Sequence, residues 1–353
     1  MVRSRATLAA LALCAACVAD AQSQSGATFT LQHLTDLDPK RIAEIERGEA
    51  VTITLDAPDK TEIAMLGVVR LDVPRAFYVD RMHDLTGFLT TGVSSSAGIF
   101  SDPARPEDVA GLALEPSDAR ALEKCKLYSC DVKLPAALMD TLRAELARSH
   151  DPAPRADAIM RAWALSYVDS DRADSTEPLV VYDDTKRSVR SSDAFHELAA
   201  EPMPAGIDGQ PFAQMLAGLR GVLPPDVVSS ITWELYRLPG LKPTLEVTER
   251  FLYAPLSYPG ETFMATKLLY ASHYFESQVD CILLADAEPV NGKPASYLVV
   301  VRRQKFDDLP SGGLFNIRGK AVKKLRDGLR ATLASTRAET MQAYAASTAG
   351  HAP

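Results

Sequence analysis

The chain has 353 residues, 46% of them hydrophobic and 24% charged, a balance that excludes wholesale disorder and suits one large domain or two ordinary ones. Lys and Arg number 38 against 46 Asp and Glu, giving a net charge of −8. That charge excludes a general nucleic-acid binder, because binding phosphate backbones needs a cationic surface.

Residues 1–21 carry the parts of a secretory signal in order. Arg3 and Arg5 supply a basic start, and Ala6 to Val18 an apolar run too short to anchor in a bilayer. Ala19-Asp20-Ala21 then supplies the small residues of a cleavage site before Gln22. The expected mature chain is soluble, and periplasmic or secreted. A lipoprotein alternative cleaves before Cys17 and ranks second, since Cys14 stands where leucine is usual. Removal of Arg3, Arg5 and Asp20 takes the net charge from −8 to −9 and leaves Cys125, Cys130 and Cys281 as the mature cysteines.

Residues 22–49 read as an N-terminal extension with a short helical stretch at Pro39 to Glu49. Val51 to Leu55 and Glu62 to Val73 are rich in β-branched residues and flank the turn chemistry of Asp56-Ala57-Pro58-Asp59-Lys60, which predicts a hairpin. Pro74 ends the second strand. The spacing of Phe77, Arg81, Leu85 and Phe88 then predicts a helix over 75–89.

Twelve prolines between Pro103 and Pro225 make long strands improbable there and predict a helical insertion over about 103–225. Its candidate helices are 106–113, 116–124, 135–148, 155–169, 191–200 and 211–221, with one short strand at Leu179 to Tyr182. Cys125 and Cys130, in KCKLYSCDVKL, read as a local disulfide of an oxidising compartment; a zinc site would need two further ligands that do not stand nearby. Cys281, in the apolar run VDCILLA, reads as a packing residue.

From Ser230 the strand pattern returns at Ile231 to Leu238, Thr244 to Ala254, Thr262 to Phe275, Val279 to Ala285 and Ser296 to Phe306. A tight turn is expected at Glu276-Ser277-Gln278, and a loop over Pro289, Asn291-Gly292 and Pro294. Short connections between successive strands imply an antiparallel meander. A long helix from about Leu314 to Tyr344 follows, with Val322, Leu325, Leu329, Leu333, Thr336 and Thr340 on one stripe. A flexible tail is expected over 346–353.

Familiar catalytic signatures are missing. No G-x-S-x-G elbow or S-x-x-K occurs. His196-Glu197 begins a zinc-protease helix, but Ala200 stands where the second ligand belongs. Ser311-Gly312-Gly313 is no phosphate loop, and Asp169, Asp171 and Asp174 lack the Gly and Glu of a calcium loop. No cofactor or metal site follows, and no residue is assigned a catalytic role. His273 shares a predicted strand face with Phe263, Ala265, Lys267, Leu269, Ala271 and Phe275, and reads as a core histidine or the polar anchor of a pocket. Residues 302–330 hold nine Lys or Arg against three Asp. Lys320, Lys323 and Lys324, at the start of the last helix, form a basic patch that is a solvated face or a dock for an anionic membrane surface or acidic partner.

Gly67 to Phe77, with its strand, proline and helix start, and residues 244–344, with late strands and a final helix, resemble the START-like (SRPBCC, helix-grip) superfamily. KCKLYSCDVKLP and LYASHYF, within the chain as a whole, are similar to a group of exported bacterial proteins, a likeness that carries no assigned activity. The superfamily resemblance implies an α+β fold in which a curved antiparallel sheet grips a long C-terminal helix. It covers about half of the mature chain and departs from the pattern in the long insertion. It also implies a START-like domain over 50–345 with a hydrophobic cavity between sheet and last helix, holding a lipid or other apolar small molecule without catalysis. The expected lining is Phe263 and Leu269 of the strand with Val322, Leu325, Leu329 and Leu333 of the helix, and His273 or Lys267 as polar anchor. Two other functions stay open: an envelope protein–protein interaction module docking through the insertion or the basic helix, and an enzyme using His273.

Overall fold

The structure, a computed structural model, describes residues 29–83, 94–173, 180–216, 223–237, 241–308 and 317–349. The signal-like segment with Cys14 and Cys17, and also Leu85, Phe88, Asp174 and Ser311-Gly312-Gly313, lie outside the described residues.

The hairpin predicted at 51–73 forms as β1 (Val51–Leu55) and β2 (Glu62–Leu71), in the register Val51↔Val68 to Leu55↔Ala64. In the turn between them, the Asp59 carboxylate accepts the Thr61 amide and hydroxyl at 2.8 and 2.9 Å. The other strands are β3 (Ser94–Phe100), the short ladder β4 (Val181–Tyr182) and β5 (Val189–Arg190), β6 (Val227–Tyr236), β7 (Thr244–Tyr253), β8 (Glu261–Ala271), β9 (Phe275–Val290) and β10 (Lys293–Phe306). Eight of them make one antiparallel sheet in the order β1-β2-β10-β9-β8-β7-β6-β3. The fold is thus α+β, with the meander β6 to β10 at its centre and β2 returning beside β10.

The helices are α1 (Pro39–Glu46), α2 (Arg75–His83), α3 (Pro116–Leu122), α4 (Ala136–Leu146), α5 (Pro152–Ala173), α6 (Ser191–Ala199), α7 (Gln210–Leu216) and α8 (Ile317–Ala349). Proline at the first turn of α1 and α3 fixes a helical φ where the amide needs no partner. The expected helix 106–113 contracts to a 3₁₀ turn at Pro106–Val109. The last helix continues to Ala349, so the first part of the expected tail is helical. Among the described residues, no helix is long and apolar enough to cross a membrane.

The β8–β9 connection differs from expectation. The strand ends at Ala271, and the chain turns at Ser272-His273-Tyr274, with Tyr274 in the left-handed region at φ 65°. Ser272 holds this turn by exchanging hydrogen bonds with Leu245, whose amide its hydroxyl accepts at 2.9 Å. Glu276 and Ser277, expected in the turn, are buried in β9. At the other end, Asn291-Gly292 forms the tight hairpin turn itself, with φ of 53° and 73°, so β9 absorbs Pro289.

Both faces of the sheet are covered. Helix α8 lies on one face, where Leu325, Leu329 and Leu333 join Ile63, Met65, Val69, Met264, Leu284, Leu298 and Val300. The insertion helices α3 to α7 cover the other, packing Leu142, Met160, Phe195 and Phe212 against Phe263, Leu269, Val279 and Cys281. Strand β2, buried along its whole length, reads as the unbroken run EIAMLGVVRL that a two-sided strand requires. Gly67 lets α8 close on it: a Cβ there would stand 2.7 Å from Leu333 Cδ1 and 3.0 Å from Leu329 Cδ2. Arg330 and Arg337 donate to the Ala50 and Arg70 carbonyls at 3.0 and 2.9 Å, and Arg318 to that of Glu62 at 2.8 Å. These basic residues of α8 therefore moor the helix. Lys320, Lys323 and Lys324 are exposed on its outer side, and Lys323 pairs with Asp327 at 2.6 Å.

Candidate functional site

A cavity of about 170 Å³ lies between the sheet and α8. Its sheet wall is built by residues of one parity, because side chains two apart on a strand share a face. From β7 come Glu246, Thr248 and Arg250, from β8 Met264 and Thr266, from β9 Gln278, Asp280 and Ile282, and from β10 Leu298, Val300 and Arg302. Glu234 and Tyr236 of β6 extend the wall, while Leu329, Thr332, Leu333 and Thr336 of α8 and Tyr78 of α2 close it.

Strand register sorts this wall into rows. Val300, Ile282, Met264 and Leu252 stand opposite one another across β10, β9, β8 and β7, forming an apolar row. One step along the strands, Arg302, Asp280, Thr266 and Arg250 form a polar row across the same four strands. Arg302 grips Asp280 with two hydrogen bonds, at 2.9 and 2.6 Å. Arg250 pairs with Glu234 and donates to the Thr232 hydroxyl at 3.2 Å. Burial works against the Arg302 guanidinium, and the Asp280 carboxylate more than offsets it, raising its pKa.

Glu246 is the exception among these charges. It is 8% exposed and directly opposite Glu234 in the β6–β7 ladder, an unfavourable like-charge pairing. Burial first, and then the Glu234 carboxylate, push its carboxyl up to about 8. At neutral pH it is therefore mostly protonated, beside two carboxylates already matched by guanidiniums. Burial also raises the Tyr236 phenol.

Of the residues expected to line a cavity, Leu329 and Leu333 line this one, and the others lie outside it. Leu325, Leu329 and Leu333 are buried on the α8 face, with Val322 half-buried beside them. Phe263 and Leu269 lie on the opposite face, where Phe263 packs edge-on against Phe212 and Tyr258 at 5.3 and 5.1 Å. Lys267 is also away from α8. It is buried and pairs with Glu249 at 2.9 Å, near Asp171 of α5. His273 sits in the β8–β9 turn, its Nε2 2.9 Å from Asp118 of α3 with both side chains buried. It ties the insertion to the sheet, next to Lys133, which pairs with Asp307 and lies 4.2 Å over the Tyr182 ring. The expected strand face was displaced by one residue: the cavity side of β8 is Met264 and Thr266. The missed wall residues did leave a signal, the alternation of Glu246, Thr248 and Arg250 in β7 and of Gln278, Asp280 and Ile282 in β9. Such alternation ordinarily marks a solvent face.

Cys125 and Cys130 form the disulfide expected of them. The loop they close docks on the β4–β5 connection, the Tyr128 and Cys130 amides donating to the Asp183 and Asp184 carbonyls at 2.9 and 3.1 Å. His196 and Glu197 are exposed on α6, where Glu197 pairs with Lys305. Among the described residues, no group of three or more His, Cys, Asp or Glu is placed to hold a metal ion.

A second cavity, of about 240 Å³, lies on the insertion face between α6, α7 and the sheet. Its wall is apolar apart from Glu201 and Arg303, and Arg303 is already paired with Glu62 at 2.7 Å. Burial pushes the Cys281 thiol in its floor up to about 12, which leaves it unreactive. This cavity has neither free polar groups nor an activated nucleophile, so the polar-walled one under α8 is the candidate site. No protein-family model matches the chain, and no curated protein is significantly similar to it.

Proposed function

We propose that this chain is a START-like ligand-binding protein, acting outside the cytoplasm, that holds a small amphipathic molecule between its sheet and α8 without transforming it. The observation that carries this proposal is the sorting of the cavity wall into an apolar row through Val300, Ile282 and Met264 and a polar row through Arg302, Asp280, Thr266 and Arg250. A molecule with one apolar and one polar end satisfies both rows, whereas a purely apolar one would strip water from buried charges. Cavities of roughly 150 Å³ admit a benzene-sized molecule. A volume of about 170 Å³ therefore suits a ring-sized ligand better than the acyl chain of a lipid. The Cys125–Cys130 disulfide agrees with an oxidising compartment.

Native mass spectrometry of the chain purified from its own compartment tests this. A small-molecule adduct is expected, and Met264→Trp, which fills the cavity from its floor, should abolish it while the chain stays folded. An adduct that survives Met264→Trp, or a bare chain that also gains no adduct from millimolar benzyl alcohol, would overturn the proposal.

A further inference from the structure

We propose that the occupant of the α8 cavity is a cation: a small amine whose ammonium pairs with Glu246 and whose apolar body lies against Met264, Ile282 and Val300. The inference rests on the ligand-binding function proposed above and names the chemical class of the ligand. It starts from a charge count. Three carboxyl groups, Glu234, Glu246 and Asp280, and two guanidiniums, Arg250 and Arg302, line the cavity. Arg250 takes Glu234 and Arg302 takes Asp280, which leaves one carboxyl over.

Among the described residues, Glu246 has neither a salt-bridge nor a hydrogen-bond partner. It is more than nine-tenths buried, lines the cavity, and faces Glu234 across the ladder. Two acids opposed on a covered sheet face destabilise the empty protein. A third positive charge would balance the set, and an ammonium can donate to Glu246 and Glu234 together with charge-assisted hydrogen bonds. An anion finds no such place, since both guanidiniums are engaged and a surplus carboxyl stands beside them. A neutral alcohol can bond only to the protonated acid, which is a weaker interaction. Because Glu246 is held at about 8, ionising it at pH 7 costs the amine about tenfold in affinity, a modest penalty against a buried ion pair.

Calorimetric titration of the full chain with benzylamine, benzyl alcohol and benzoate at pH 7 tests the inference. Benzylamine should bind at least about tenfold more tightly than benzyl alcohol and release nearly one proton from Glu246 as it binds, a release read by repeating the titration in buffers of different ionisation enthalpy. Glu246→Gln, which keeps the side-chain shape, should reduce benzylamine to the affinity of the alcohol. If the alcohol binds as well as the amine, or benzoate binds best, or the amine preference survives Glu246→Gln, the inference is wrong while the cavity function stands. If none of the three probes binds, both fail. The proton release is measured on the unaltered chain, so a poorly folding variant does not remove the test.

Discussion

The two faces of the central sheet solve the same burial problem in different ways. On the insertion face, α3 to α7 press Phe212, Phe195 and Met160 against Phe263, Leu269 and Val279, and Lys267 pairs there with Glu249 and His273 with Asp118. On the α8 face, α8 and the short α2 cover the strands, and under them lie five ionisable side chains around a cavity of about 170 Å³. Charges are seldom buried for stability alone, because their desolvation competes with the attraction they gain. A face that keeps an unmatched carboxyl beside a void gives up stability, and under the proposed function it gains the capacity to bind. Under the proposed function, the elaborated, helix-rich side of this protein is its scaffold, and the sparsely covered side is where ligand chemistry belongs.

Substitutions on each face should separate these roles. The largest effect is expected from Phe263→Ala on the insertion face, where removing a fully buried ring should lower unfolding stability in urea by roughly 3–5 kcal/mol and leave ligand binding under α8 intact. A loss of binding without loss of stability would place the site on the wrong face.

Next comes the pH dependence of Glu246. Its folded pKa, raised to about 8, exceeds that of the unfolded chain, so the unfolded state binds fewer protons between about pH 4.5 and 8 and native stability falls as pH rises through that window. Above it the contribution is flat. Glu246→Gln should abolish this decline and be more stable than the unaltered chain at pH 8 by roughly 3 kcal/mol, less than full burial would give because water in the cavity eases the penalty. Equal stability of the two proteins across pH 5 to 8 would contradict the burial of an unmatched acid.

A smaller loss, about 1–3 kcal/mol, is expected for Asp118→Ala, which leaves His273 buried without its partner. Thermal unfolding measures it, and binding of benzyl alcohol should not change. If that binding vanished with the fold intact, His273 would belong to the site after all.

Much of the fold could be read from the residues. The β1–β2 hairpin, the proline-punctuated helices of the insertion and the stripe on α8 rest on local chemistry that survives folding: turn residues, prolines at first turns and a three-and-four spacing. Strand β3 escaped because SSSAGIF offers two large apolar residues and no alternation. The turn at Ser272-His273-Tyr274 escaped because a tyrosine, where glycine or asparagine would be usual, takes the left-handed position. The expected strand face differs from the observed one for a physical reason. The sequence suggests that the apolar parity of β8, with Phe263, Ala265 and Leu269, faces the gripping helix, yet the insertion claims that parity. The polar parity, which looks like a solvent face, is the one α8 covers. Asp118 lies 155 residues from His273, and nothing local in either segment announces their pairing.

The central claim, that ligand enters under α8 and not among the insertion helices, is tested most directly by methyl NMR of the full chain titrated with benzyl alcohol. The account predicts shifts centred on the methyl groups of Met264, Ile282, Val300, Leu329 and Leu333, which line the α8 cavity. Shifts centred instead on Leu198, Met203, Val279 and Val301, around the second cavity, would contradict it.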